Sequence, residues 1–148
     1  METIDQATAR DIPQLADLLG MLFSQEADFR SDRNKQECGL RRIIAAPDIG
    51  IVFAARDGDE IAGMVSLLFT VSTAEGGPAC WLEDMVVTPE RRGSGLGSRL
   101  LRHAIDYACA SGYARITLLT DAVNQRAIQF YTRHGFARSQ MTALRLHL

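Results

Sequence analysis

The sequence predicts a mixed α/β sheet in a single domain over residues 1–148, and three observations lead there. Apolar residues switch between helical spacing (Ile12, Leu15, Leu18, Leu19, Leu22) and short apolar runs at 50–56 and 115–120. Turn residues separate these segments, among them Pro47, Asp57-Gly58-Asp59, Gly112 and Gly135. The length of 148 residues, with 47% apolar and 23% charged residues, suits one globular domain that buries roughly two-thirds of its unfolded surface.

Residues 2–9 alternate in part and read as a first strand. Asp11 is placed to cap a helix with Pro13 in its first turn. Ser31 or Asp32 starts a second helix, whose later apolar face is Leu40, Ile43 and Ile44 and which Pro47 ends. Residues 50–56 form a strand, Asp57-Gly58-Asp59 a hairpin turn, and 60–71 the returning strand. After a loop at Glu75-Gly76-Gly77-Pro78, residues 80–87 make a central strand stopped by Thr88-Pro89. A glycine-rich turn, Arg91-Arg92-Gly93-Ser94-Gly95-Leu96-Gly97, then opens a helix whose apolar face runs from Leu96 through Leu100, Leu101 and Ala104 to Ala108. Residues 115–120 are a buried strand, and Asn124 starts a helix closed by Gly135. Leu144, Leu146 and Leu148 alternate with Arg145 and His147, so the C-terminus reads as a strand.

Composition excludes several classes. No apolar run approaches the ~18 residues of a membrane span, and METIDQATARD lacks the apolar stretch of a signal peptide, so a cytoplasmic protein without a membrane partner is expected. Cys38, Cys80 and Cys109 form no metal or disulfide pattern and read as reduced, mostly buried thiols. His103, on the polar side of its helix, His134 and His147 share no ligand spacing, so no metal is expected. Charge is uneven: residues 1–90 hold 16 acids and 7 bases, residues 91–148 hold 2 acids and 9 bases. The second half is suited to an anion and the first to a cation. No nucleic-acid-binding motif accompanies the basic half.

The glycine turn carries the strongest signal. Glycines let backbone approach a ligand, and the N-terminus of the next helix offers N–H groups to an anion, with Arg91 and Arg92 at the rim. No lysine follows Gly97 as a phosphate-binding Walker loop requires, and position 98 is Ser98 where a dinucleotide fingerprint from Gly93 needs glycine.

The stretch from Leu82 to Gly97 resembles the acetyl-CoA signature of the GCN5-related N-acetyltransferases, whose [QR]-x-x-G-x-[GA] turn is met by Arg92, Gly95 and Gly97. A second family element is similar to Asn124-x-x-Ala127-x-x-Phe130-Tyr131-x-x-x-Gly135-Phe136. The resemblance implies a mixed, mostly antiparallel sheet with splayed strands binding acetyl-CoA (coenzyme A) as co-substrate. It implies pantetheine pairing at Met85, Val86 and Val87, and a pyrophosphate on the amides of Arg92, Gly93, Ser94, Gly95, Leu96, Gly97 and Ser98. It also implies a contact from Asn124 to the cofactor arm, and protonation of the leaving thiolate by Tyr131. Helix capping by Asn124 and packing of Tyr131 beside Phe130 are the competing readings.

The implied reaction is acetyl transfer to a primary amine of a small molecule or peptide, by direct attack in a ternary complex. Such an amine, with a pKa of about 10.4, must first lose a proton. Glu83 and Asp84 lie inside an apolar strand, where carboxylates are unfavourable unless paired or facing a wet cleft. Strand alternation sends them to opposite faces. Glu83 is the candidate to bind the amine or deprotonate it through water, with an ion pair to an arginine as the competing reading. Asp84, Glu26 and Asp28 are further candidates for holding a cationic substrate. The segment 81–87 is especially similar to diamine and polyamine acetyltransferases, yet residues 139–148 hold none of that subgroup's C-terminal acids. Family habit implies a homodimer through the C-terminal strands. The rival functions are a catalytically silent acyl-CoA-binding module and a nucleic-acid-binding protein.

Overall fold

A computed structural model describes residues 1–26 and 30–148. Two compact units divide the chain, Met1–Leu118 and Leu119–Leu148.

The first unit holds a five-stranded sheet of β1 (Thr3–Gln6), β2 (Gly50–Asp57), β3 (Glu60–Ser72), β4 (Gly77–Val87) and β5 (Ile116–Leu118), in that spatial order. The first three pairings are antiparallel and β4–β5 is parallel, so the sheet is mixed and mostly antiparallel. Helices α1 (Ile12–Phe23) and α2 (Arg33–Ala45) precede β2. Helix α3 (Leu96–Ala110) makes the crossover that a parallel strand pair requires.

Period two along the strands supplies both sheet faces. Val52, Ala54, Met64 and Val86 pack with Leu15, Leu18 and Leu19 of α1 and Leu40 of α2. Phe53 turns the other way, onto the His103 and Tyr107 rings of α3 at 4.6 and 5.3 Å. His103 is therefore half-buried against the sheet, not on the helix's polar side, because its ring fills the space beside Phe53. On this face Gly63 leaves room for α3: a Cβ there would stand 2.8 Å from Leu100 Cδ1.

Helix termini follow the expected chemistry in two of three cases. The Asp32 carboxylate accepts the Lys35 N–H at 3.2 Å, capping α2. Asp11 stands at the N-cap of α1 but makes no cap bond. Arg56 claims its carboxylate with two hydrogen bonds, at 2.9 and 2.7 Å, and the Thr8 N–H donates to it at 2.8 Å. The guanidinium beside it holds the Asp11 carboxyl down at about 2.

Three further expectations are corrected. β5 is three half-buried residues and not a buried strand over 115–120, because it is an edge strand with one neighbour. Cys38 and Cys109 are exposed on their helices, and only Cys80 is buried. In the second unit, α4 (Gln125–Arg133) is capped by the Asn124 carbonyl oxygen accepting the Ala127 N–H at 3.1 Å, but residues 136–148 contain no strand. Leu144, Leu146 and Leu148 show a strand's alternation, yet the second unit forms no ladder of its own around them. Alternation without a ladder partner leaves backbone groups to water.

Candidate functional site

β4 is where the sheet opens. Its parallel register with β5 runs from Cys80↔Ile116 to Leu82↔Leu118, where β5 ends. Residues 83–87 continue β4 beyond that partner, held on their other side by β3 from Gly63↔Val87 to Ser66↔Asp84. Met85 and Val87 are half-buried, and Val86 is buried under α1 and α2.

The β3–β4 register shifts between Ser66 and Leu67, which pair with Asp84 and Leu82. Glu83 is the extra residue of a β-bulge, two residues facing one. This corrects the expectation that Glu83 and Asp84 point to opposite faces. Counted from Leu82, alternation puts Glu83 on the face of α1 and α2; counted from Val86, it puts Asp84 there. The bulge makes both true, and both acids line one cleft of about 330 Å³ bounded by α1, α2, β3 and β4.

Within this cleft the two acids differ. Glu83 is exposed and forms no ion pair among the described residues, so the arginine partner considered from the sequence is not found. Asp84 is half-buried, and burial pushes its carboxyl up to about 7, with the Glu83 and Glu26 charges adding to the rise. Ser66, fully buried, accepts the Asp84 N–H on its hydroxyl at 3.1 Å, and that hydroxyl lies 3.5 Å from Asp84 Oδ2, opposing the rise. Sequence reasoning missed Ser66, although it is the single polar side chain in Ile61-Ala62-Gly63-Met64-Val65-Ser66-Leu67-Leu68. Glu26 lies close enough to act on Asp84. Asp28 lies outside the described residues.

The glycine turn follows β4 directly. Gly93 and Gly95 have φ of 77° and 87°, a region side chains with a Cβ rarely adopt. Gly95 is the N-cap of α3 and supplies no side-chain cap; the Leu96 N–H reaches the Ser94 hydroxyl at 3.4 Å, and the next amides, of Gly97 and Ser98, are left for another acceptor. Residues 92–95 are exposed, Gly97 and Ser98 are half-exposed, and Leu96 is buried as the first core residue of α3. Open space lies where a Cβ at Gly93 or Gly95 would point. This arrangement fits an anion such as a pyrophosphate. The Arg92 guanidinium is exposed there and donates from Nε to the Val87 carbonyl at 3.2 Å. Arg91 does not stand free at the rim: it pairs with Glu2 and Asp57, and Arg99 also pairs with Glu2.

The remaining candidates lie in the second unit. Asn124 caps α4, as above. Tyr131 packs edge-to-face on Phe130 and Phe136, at 5.2 and 5.6 Å between ring centroids. The Cys80 thiol is buried and pushed up to about 11, so it is no nucleophile at neutral pH.

A mixed sheet that opens at one strand, with an acid pair on that strand and an anion cradle after it, defines a group-transfer enzyme of the α/β type. Residues 13–136 match the model of the Acetyltransferase (GNAT) family, and the chain belongs to that family. Aminoalkylphosphonate N-acetyltransferase of Salmonella typhimurium is 29% identical over 133 residues, covering 90% of this chain and 83% of that protein. The uncharacterized N-acetyltransferase YhfO of Bacillus subtilis is 32% identical over 136 residues, covering 90% and 88%. Among solved structures, an integron cassette protein from the mobile metagenome of Cole Harbour Salt Marsh superposes with a TM-score of 0.84 at 26% identity, covering 98% of this chain and 90% of that one. The protein is an N-acetyltransferase.

Proposed function

We propose that the protein transfers the acetyl group of acetyl-CoA to a primary amine of a small molecule by direct attack in a ternary complex. The observation that carries this reading is the acid pair Glu83–Asp84 lining a cleft on the strand that runs into the glycine turn. A cleft of about 330 Å³ suits a small molecule, and the Salmonella relative is named for one.

Acetyl-CoA supplies, when bound, a thioester whose acyl carbon accepts the amine. The Gly93, Gly95, Gly97 and Ser98 amides of the turn and the Arg92 guanidinium are suited to its pyrophosphate, and the edge of β4 at 85–87, which β5 does not reach, to its amide-bearing arm. Asp84, poised near neutrality, takes a proton from the ammonium so that the nitrogen lone pair is free to attack. This moves the base role from Glu83, the candidate read from the sequence, to its neighbour. Glu83 holds the cationic amine at the mouth. As the new C–N bond forms, the C–S bond breaks and its electron pair goes to sulfur. The newly bonded nitrogen gives up its second proton to water, and Tyr131 donates the proton that sulfur takes up and regains one from solvent, a role that rests on its place in the second family motif.

Thiol release from acetyl-CoA, followed over a panel of primary amines, tests the reading. Turnover is expected, with Tyr131→Phe lowering kcat about 10²-fold while leaving coenzyme A affinity intact. Coenzyme A binding with no turnover on any amine would favour a silent acyl-CoA-binding module. Absence of coenzyme A binding would overturn the assignment.

A further inference from the structure

The acid pair occupies only part of the cleft. Across from β4, α2 and the segment before it contribute Arg30 and Lys35 to the same lining. Neither cation forms an ion pair among the described residues, whereas Arg33, Arg56, Arg91, Arg99 and Arg115 are all paired. Asp32 also lines this end, but its carboxylate is committed to the Lys35 N–H as the cap of α2. Gln36, the other polar group there, is spent on Ser31, on the Asp32 N–H and on the Ala16 carbonyl. Asp32 sets one negative charge against the two cations, so Arg30, Lys35 and Asp32 together leave this part of the lining net positive.

Arg30 and Lys35 share the lining with Asp84 yet are not among the charges that act on it. The charges that act on Asp84 are those of Glu83 and Glu26, with no cation offsetting them. Phe23, Leu40, Ile43 and Leu68 supply apolar lining to the same cleft. A cleft built this way is complementary to a molecule with one charge at each end and a short apolar body.

We propose that the acceptor is a small zwitterionic amine, with its ammonium at Glu83 and Asp84 and an anionic group, carboxylate or phosphonate, at Lys35 and Arg30. This rests on the acetyl-transfer reading above and names its substrate class. Diamines and polyamines, to which segment 81–87 is similar, would place a second cation against Lys35 and Arg30 and are disfavoured.

The test uses four acceptors of equal chain length with the full-length protein and acetyl-CoA: an ω-amino carboxylic acid, an ω-aminoalkylphosphonate, a methyl-ended alkylamine and a diamine. At least one anionic acceptor is expected to exceed the methyl-ended amine by tenfold or more in kcat/KM, with the diamine lowest. The two anionic arms separate carboxylate from phosphonate. In Arg30→Gln/Lys35→Met, the ratio of anionic to methyl-ended acceptor should fall at least tenfold, chiefly through KM. In Lys35→Glu, the diamine should overtake the anionic acceptor. A diamine or methyl-ended amine used as well as the anionic ones, or a ratio unmoved by these substitutions, overturns the proposal and leaves acetyl transfer standing. Turnover of none of the four sends the acetyl-transfer reading back to the wider amine panel and to coenzyme A binding. Calorimetry of the same molecules on the protein saturated with coenzyme A then decides the cleft. Tighter binding of the anionic amine than of the diamine upholds the class, and the reverse overturns it.

Discussion

Asp84 concentrates the conflict between stability and function in one side chain. Its carboxyl stands at about 7 instead of the ordinary 3.8, so ionising it at neutral pH costs folding free energy. Asp84→Asn removes that cost and removes the base. The variant should melt several degrees above the parent at pH 8, roughly 5 °C, in a thermal scan. Its kcat/KM should fall by about 10²-fold or more, and the rise of rate with pH through about 7 should vanish. Asp11 shows the opposite case. Its carboxylate, 4% exposed, is paired with Arg56 and held at about 2. Asp11→Ala strands a largely buried guanidinium that keeps only Asp5, and should cost about 3 kcal/mol in a denaturant titration.

Among the elements, the bulge in β4 decides the site and the glycines decide how closely backbones meet. One extra residue, Glu83, puts two acids on one face without breaking the ladder that follows, from Ser66↔Asp84 to Gly63↔Val87. At the start of β2, a Cβ on Gly50 would lie 2.4 Å from the Leu67 carbonyl oxygen, a backbone atom that cannot swing away. Gly50→Ala should therefore destabilise the fold by about 2 kcal/mol or more, read as a lowered denaturant midpoint. Gly95 differs, because space around it is open and only its φ of 87° excludes a side chain. Gly95→Ala should cost about 1 kcal/mol of stability and weaken coenzyme A binding several-fold by calorimetry.

At the scale of the molecule, the two titrating acids shape stability against pH from opposite directions. For Asp84 the folded state holds the proton between pH 3.8 and about 7, where the unfolded chain has lost it, so this contribution falls as pH rises across that window. For Asp11 the unfolded chain binds the proton first, so its contribution is present above 3.8 and is lost as pH falls toward about 2. The melting temperature should be higher at pH 5 than at pH 8, and Asp84→Asn should remove most of that difference. The charge asymmetry of the sequence is also redistributed by folding. Arg91 and Arg99 pair with Glu2, while Arg92 stays exposed at the turn with its Nε on the Val87 carbonyl.

The sequence by itself determined what depends on neighbours along the chain. Periodicity set the order of elements from β1 to α4, the αL glycines set the turn before α3, and the spacing of Arg92, Gly95 and Gly97 with the motif from Asn124 to Phe136 carried the family. Only the tertiary structure decided what depends on a partner from elsewhere. The Asp11 carboxylate went to Arg56, 45 residues away. The register between β3 and β4 slipped by one residue at Glu83, and α2 brought Lys35 over against the acids of β4. Local periodicity reports which face a side chain prefers. Register, bulges and the opposite wall of a cleft are settled by packing between distant segments, and no single segment encodes them.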